Sequence, residues 1–231
     1  MADIKKLIFF DTETTTQYKD IKELEANNPI GYKLFVKRFN NREMLNKIGD
    51  VDTAYIQKAP LFAEYNKVIC VSIGMFSSKT NKFVIKSFKD DNEENLIRVV
   101  HDIFVNNLSS HFQAGYGIAG CNIKGFDIPV LNKKFLKYGL EIPKCFKTFN
   151  IKPWEMNVFD LFEAWKSNGI DLASLEEICV DLEVENSKTI LEDKTVYELY
   201  HIENNLDLIS KYCDGDVFST YLAAEKICNL I

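Results

Sequence analysis

The six cysteines, Cys70, Cys121, Cys145, Cys179, Cys213 and Cys228, include no CxxC pair, and no histidine stands at zinc-finger spacing. A structural zinc is therefore not what organises this chain. Scattered single cysteines read instead as small buried side chains kept reduced. Basic excess is also missing: 28 Lys+Arg against 34 Asp+Glu leave a net charge of −6. A protein that wraps duplex DNA without sequence preference carries the opposite balance, so that class falls away. An enzyme that meets nucleic acid through bound cations is still allowed, because the ions supply the positive charge. Long apolar runs are absent. The most apolar stretch, residues 68–76, is about half a membrane span. The N-terminal stretch MADIKKLIFFDTE runs into acids too early for a signal peptide and has no small-residue cleavage site. No repeat and no low-complexity segment occurs. These absences predict a soluble cytoplasmic protein with no membrane partner.

What is present is the material of a core. The 231 residues are 46% apolar, with 17 Phe and 10 Tyr, which excludes whole-chain disorder and predicts one domain, 1–231. Residues 5–11 read as a buried strand ending in an acid. Residues 17–60, rich in Lys, Glu and Asn, read as an insertion of one or two helices and irregular structure, either surface decoration or a cover for substrate. Residues 67–76 and 82–88 read as strands joined by a hairpin turn at 77–81. Asp90 to Asn92 open a helix with Leu96, Ile97, Val100, Ile103 and Phe104 on its apolar stripe. A strand over 115–121, a helix from about 127 to 138 and a short strand at 157–161 follow. Helices are then predicted at about 171–182, 193–201 and 205–229. This order predicts an α/β fold with a mixed sheet. Trp154, Trp165 and Tyr138 read as core residues. The GYGIAG stretch satisfies G-x-G-x-x-G, but it lacks a strand before its first glycine and a helix opening within it, so no dinucleotide site is read there.

Three groups of carboxylates carry chemistry. Asp11 and Glu13 are two apart on a strand and so project from one face. Paired carboxylates resist ionising together unless a cation lies between them, and oxygen-only ligation suits Mg²⁺ or Mn²⁺. A merely acidic, solvated strand end would look the same. The second group, Asn122-x₃-Phe126-Asp127, sits where a strand gives way to a helix, and Asp127 could serve there simply as a cap. In the third, Tyr212 and Asp216 are four apart on the last predicted helix and share a face, whereas Asp214 lies about 200° from Tyr212. Gly215 leaves room beside Asp216.

In this order, D-x-E, N-x₃-F-D and Y-x₃-D resemble the DEDD superfamily of 3′–5′ exonucleases, in its Tyr subclass. The stretches FFDTET, KAPLFAEYNKVICVSIG, CNIKGFDIPVL, KPWEMNVFDLFEAW, LASLEEIC and YCDGDV are similar to stand-alone exonucleases related to the proofreading domain of family-B DNA polymerases. The stretch SKTILEDK departs from the expected Gly and short acidic turn, which leaves Lys188 a weak substrate contact. The resemblance implies an RNase H-like fold, a mixed five-stranded sheet flanked by helices, here with the helical insertion after the first strand. It implies two divalent cations: Asp11, Glu13 and Asp216 holding one, Asp11 bridging to a second, and Asp127 reaching that second largely through water. Tyr212 would orient the attacking water, since a phenol with a pKa near 10 is a poor base. Thr12, Thr14, Asn122, Phe126 and Lys188 become substrate-contact candidates, with Phe126 either a stacking surface or a core residue. The implied activity is two-metal hydrolysis of single-stranded DNA 3′ ends to 5′-mononucleotides, in repair or proofreading. An exoribonuclease of the same fold, or an inactive nucleic-acid-binding module, are the alternatives. The chain holds no polymerase domain, so a polymerase or replication protein would be a separate partner.

Overall fold

The structure, a computed structural model, describes residues 3–39, 49–148, 151–152, 156–167, 169–170, 173–191 and 193–230. Among these, five strands form one mixed sheet. They are β1 (Leu7–Thr16), β2 (Asn66–Phe76), β3 (Phe83–Lys89), β4 (Gly117–Gly120) and β5 (Val158–Asp160). Their order is β3-β2-β1-β4-β5. β1 pairs antiparallel with β2, and β2 with β3. β4 pairs parallel with β1 and with β5. This is the RNase H-like mixed sheet flanked by helices.

The central strand sorts its side chains with period two. Ile8 and Phe10 enter the cluster of Leu96, Ile97, Val100, Ile128, Leu131 and Phe135. Those residues come from α4 (Glu93–Asp102) and α6 (Asp127–Lys137). Leu7 and Phe9 point to the opposite face, against Val217, Tyr221 and Ala224 of α10 (Leu206–Leu230). The remaining helices are α1 (Ile21–Asn27), α2 (Pro29–Phe39), α3 (Val51–Lys58), α5 (Ser109–Gln113), α7 (Leu161–Lys166), α8 (Leu175–Asp181) and α9 (Val196–His201).

Three expectations need correcting. The first strand does not end at Asp11. It continues to Thr16 beside β2, because Thr14, Thr15 and Thr16 are β-branched and suit a pleated, covered surface; Thr15 and Thr16 are wholly buried. The insertion is more than one or two helices over a surface. α1, α2 and α3 close a separate apolar core of Ile21, Leu24, Phe35, Phe39, Ala54 and Tyr55, capped by Tyr65. The helix expected from about residue 171 starts at Leu175. A reciprocal cap between Ser174 and Glu177 sets that start. Trp165 is half-buried against Leu161, Ile178 and Ala223. Trp154 lies outside the described residues.

The helix that carries Asp127 is locked to the sheet by a buried ion pair. Lys134, only 1% exposed, lies 2.7 Å from Glu93 of α4 and donates to the Asn66 carbonyl at 2.6 Å. Glu93 also accepts from the Val68 amide at 2.8 Å and the Tyr138 hydroxyl at 2.5 Å. Burial pushes the Lys134 ammonium down to about 8, against the pull of Glu93.

Candidate active site

The site forms where β4 runs out. β4 matches β1 only from Leu7 to Phe9, so Asp11 lies beyond its reach. The chain after Gly120 turns into that gap. A Cβ on Gly120 would stand 2.8 Å from the Phe10 carbonyl, so only glycine lets the turn pass this close. Asn122 takes a left-handed φ of 58°, a conformation asparagine tolerates. Asp160, at the end of β5, accepts from the amides of Asn122 and Lys124, each at 2.9 Å, and of Phe162 at 3.0 Å. Thus fixed, the turn delivers Asp127 as the first residue of α6.

Asp11 continues the Leu7–Phe9 face and meets α10. The Cys213 Sγ lies 3.4 Å from Asp11 Oδ2 and 3.5 Å from its carbonyl. Asp11, Glu13 and Cys213 bring ligand-capable atoms within 4.8 Å of one another. Asp11 faces Ser72 and Glu13 faces Cys70 on β2, and the register slips only after Glu13, where Ile69 is passed over. The two carboxylates therefore keep the shared face that their spacing predicts. On α10, one turn separates Tyr212 from Asp216, and the Tyr212 hydroxyl bonds the Asp216 carboxylate. The Ser187 hydroxyl donates to the same carboxylate. Asp214 points away from this pair onto the sheet, accepting from Ser72 at 2.7 Å and Ser87 at 3.3 Å.

Residues 60–229 match the model of a family described as a predicted 3′–5′ exonuclease related to the exonuclease domain of PolB. The chain belongs to that family. It matches no curated protein and no solved structure. The exonuclease match takes in Asp127, Tyr212 and Asp216 and begins after the strand that carries Asp11 and Glu13. In this member of the family, β1, α6 and α10 nevertheless bring all four acids together. Burial raises the Asp11 carboxyl well above the usual range, and Asp127, Glu13 and Asp216 add repulsion. Burial lifts Asp127 to about 7.

These residues fit a divalent cation. Asp127 Oδ1 is buried with no hydrogen-bond partner, and no side-chain cap bond is made at the start of α6. The N-cap position is Phe126, and Asp127 is the first residue inside the helix. A buried carboxylate oxygen left unpaired is costly unless something positive meets it. The donors around it are mostly carboxylate oxygens, as Mg²⁺ and Mn²⁺ prefer. Of the binding candidates, Thr12 is buried beside Asp127, and its hydroxyl and amide face that carboxyl, opposing the rise that burial causes. The Thr14 hydroxyl already donates to the Pro60 carbonyl at 2.9 Å. Asn122 is exposed, and Phe126 is half-buried against the main core. Lys188 begins the turn Lys188–Leu191, and its side chain lies outside the described residues.

Sequence reasoning passed over three residues. Asp160 shapes the turn before Asp127; its position in the FD of the NVFDLF stretch was the available signal. Cys213 lies against Asp11, but as one of the scattered single cysteines it read only as a small buried side chain. Ser187 reaches Asp216 because Gly215 permits it: a Cβ on Gly215 would stand 2.8 Å from the Ser187 Cβ. No helix among the described residues is long and apolar enough to cross a membrane.

Proposed function

We propose that this exonuclease belongs to the DEDD superfamily's Tyr subclass. It removes 5′-mononucleotides from the 3′ ends of single-stranded DNA, in repair or proofreading, with a polymerase or replication protein as a separate partner. The observation that carries this reading is the convergence of Asp11, Glu13, Asp127 and Asp216 from three elements, one of them with a buried, unpartnered oxygen. Bound there, two Mg²⁺ or Mn²⁺ ions would supply counter-charge to the scissile phosphate and the leaving oxygen. Asp11, Glu13 and Asp216 would hold one, with Asp11 also reaching the second and Asp127 serving that second ion. Ser187 and Tyr212 fix the rotamer of Asp216. Thr12, Asn122 and Phe126 border the place where the terminal nucleotide sits.

The test uses DNA and RNA oligonucleotides labelled at either end, with Mg²⁺, Mn²⁺ or EDTA. A ladder shortening from the 3′ end on DNA, abolished by EDTA, is expected. Preference for RNA would reassign the substrate, and no cleavage with either ion would leave a binding module.

Tyr212 offers a finer prediction. Burial, then Asp216 and Glu13, push its hydroxyl far above the ordinary phenol value, so it stays protonated; its one hydrogen goes to Asp216, and its oxygen accepts from the attacking water and orients it. Tyr212→Phe is expected to slow turnover about 10- to 1,000-fold. The acid limb of the pH–rate profile should stay in place. A displaced limb would make Tyr212 a partner in proton transfer, and an unchanged rate would remove it from the site.

A further inference from the structure

We propose that Arg38 and Phe62 form a stacking and phosphate-binding platform for the single strand upstream of its 3′ end, so that the helical insertion is part of the substrate track. This inference rests on the nuclease reading above and adds a subsite to it. The Arg38 guanidinium lies over the Phe62 ring, 3.9 Å from its centroid. A flat cation held on an aromatic face offers one π surface and one phosphate donor together, the combination that grips a single strand without reading its sequence. Arg38 is exposed and Phe62 half-buried, so the pair faces solvent while its base is anchored in the insertion core.

Charge favours the same occupant. The chain as a whole is acidic, at −6, yet α2 carries Lys33, Lys37 and Arg38 and no acid at all. Next to the platform, Glu64 is paired with Lys133 at 2.9 Å and also feels the Arg38 charge, the two cations outnumbering it; Lys133 belongs to the helix that begins at Asp127. A local basic surface on an acidic protein fits a polyanion, and the acidic site beside it fixes where that polyanion ends.

Position completes the argument. The Thr14 hydroxyl and the Asn66 amide both bond the Pro60 carbonyl, each at 2.9 Å. Thr14 follows Glu13 directly, and Phe62 is two residues beyond Pro60. The length of that chain path keeps Phe62 within about 20 Å of Glu13, a few nucleotides from the reacting end.

The test compares a long substrate with one too short to reach the platform. Arg38→Gln and Phe62→Ala, in the full chain, are assayed on a twelve-residue oligothymidylate and on the p-nitrophenyl ester of thymidine 5′-phosphate. KM for the oligonucleotide should rise about 10-fold or more in each variant, with kcat and ester hydrolysis unchanged. Binding of a fluorescent twelve-mer in EDTA gives a readout that needs no catalysis. Arg38→Gln should weaken that binding and lower the salt slope by about 0.7. Equal loss on both substrates, or unchanged KM and unchanged salt slope, overturns the platform. Should Phe62→Ala unfold the insertion, Arg38→Gln and Arg38→Lys decide alone, with lysine keeping the charge and losing the flat stack. An inactive wild type that still shows the Arg38-dependent binding would refute the nuclease reading and leave the platform standing.

Discussion

Asp11→Ala is expected to abolish turnover while leaving the fold intact and making the metal-free protein more stable above pH 7. Asp11 is crowded by Asp127, Glu13 and Asp216 and carries a carboxyl raised well above its usual value; Asp127 is lifted to about 7. A carboxyl whose folded pKa exceeds its unfolded value near 3.9 holds more protons folded than unfolded between the two. Stability therefore falls as pH rises through that window, and the loss is complete above the folded pKa. Removing one of the four charges lowers the repulsion on the rest. Thermal melts in EDTA should show wild type and variant close together at pH 4 and the variant melting higher at pH 8. Mn²⁺ should raise the melting temperature of the wild type, because it binds the folded state only, and raise that of the variant much less. Retained turnover, or a variant that fails to fold, would remove Asp11 from the centre of the site.

Asp216→Asn should lower turnover by several orders of magnitude, whereas Asp214→Asn should leave it within a few-fold of wild type. The two acids differ in what they face. Asp216 is held by Ser187 and Tyr212 beside the other carboxylates. Asp214 is an acceptor for two serine hydroxyls on β2 and β3, a packing role that an asparagine oxygen retains in part. Asp214→Ala takes the acceptor from the buried Ser72 hydroxyl, while Ser87 keeps its bond with Ser210, and should cost about 1–3 kcal/mol in urea unfolding with turnover preserved. If Asp214→Asn proves inactive while Asp216→Asn is active, α10 presents a different face to the acids from the one described.

The site's skeleton was legible because each piece obeys a local rule. Period two put Asp11 and Glu13 together, and β2 holds that register through Glu13. A four-residue spacing put Tyr212 and Asp216 on one helix face. What was not legible depends on long-range packing. Nothing local says that three threonines after Glu13 continue a strand, since polar residues after an acid equally suggest a turn; the burial of Thr15 and Thr16 comes from the partners around them. The capping alternative for Asp127 could be set aside only once Phe126 was seen in the N-cap position, with Asp127 inside the helix. Ser187 and Cys213 gain their places from how the 187–191 turn and α10 close over the sheet. The insertion looked polar because its apolar residues are spread thinly along the sequence and meet only when three helices fold together.

The order in which the parts become available during synthesis has a consequence of its own. Cys213 touches Asp11 across a separation of 202 positions, and α10 covers Leu7 and Phe9 on β1 as well as Phe83 and Ile85 on β3. A nascent chain still short of α10 therefore has an uncovered sheet face and an incomplete ligand set at the same time. A closed core and the full set of four acids arrive together when α10 docks. Contacts of such long range slow that final step. A ribosome-bound or prematurely truncated copy is thus a client for chaperones and proteases.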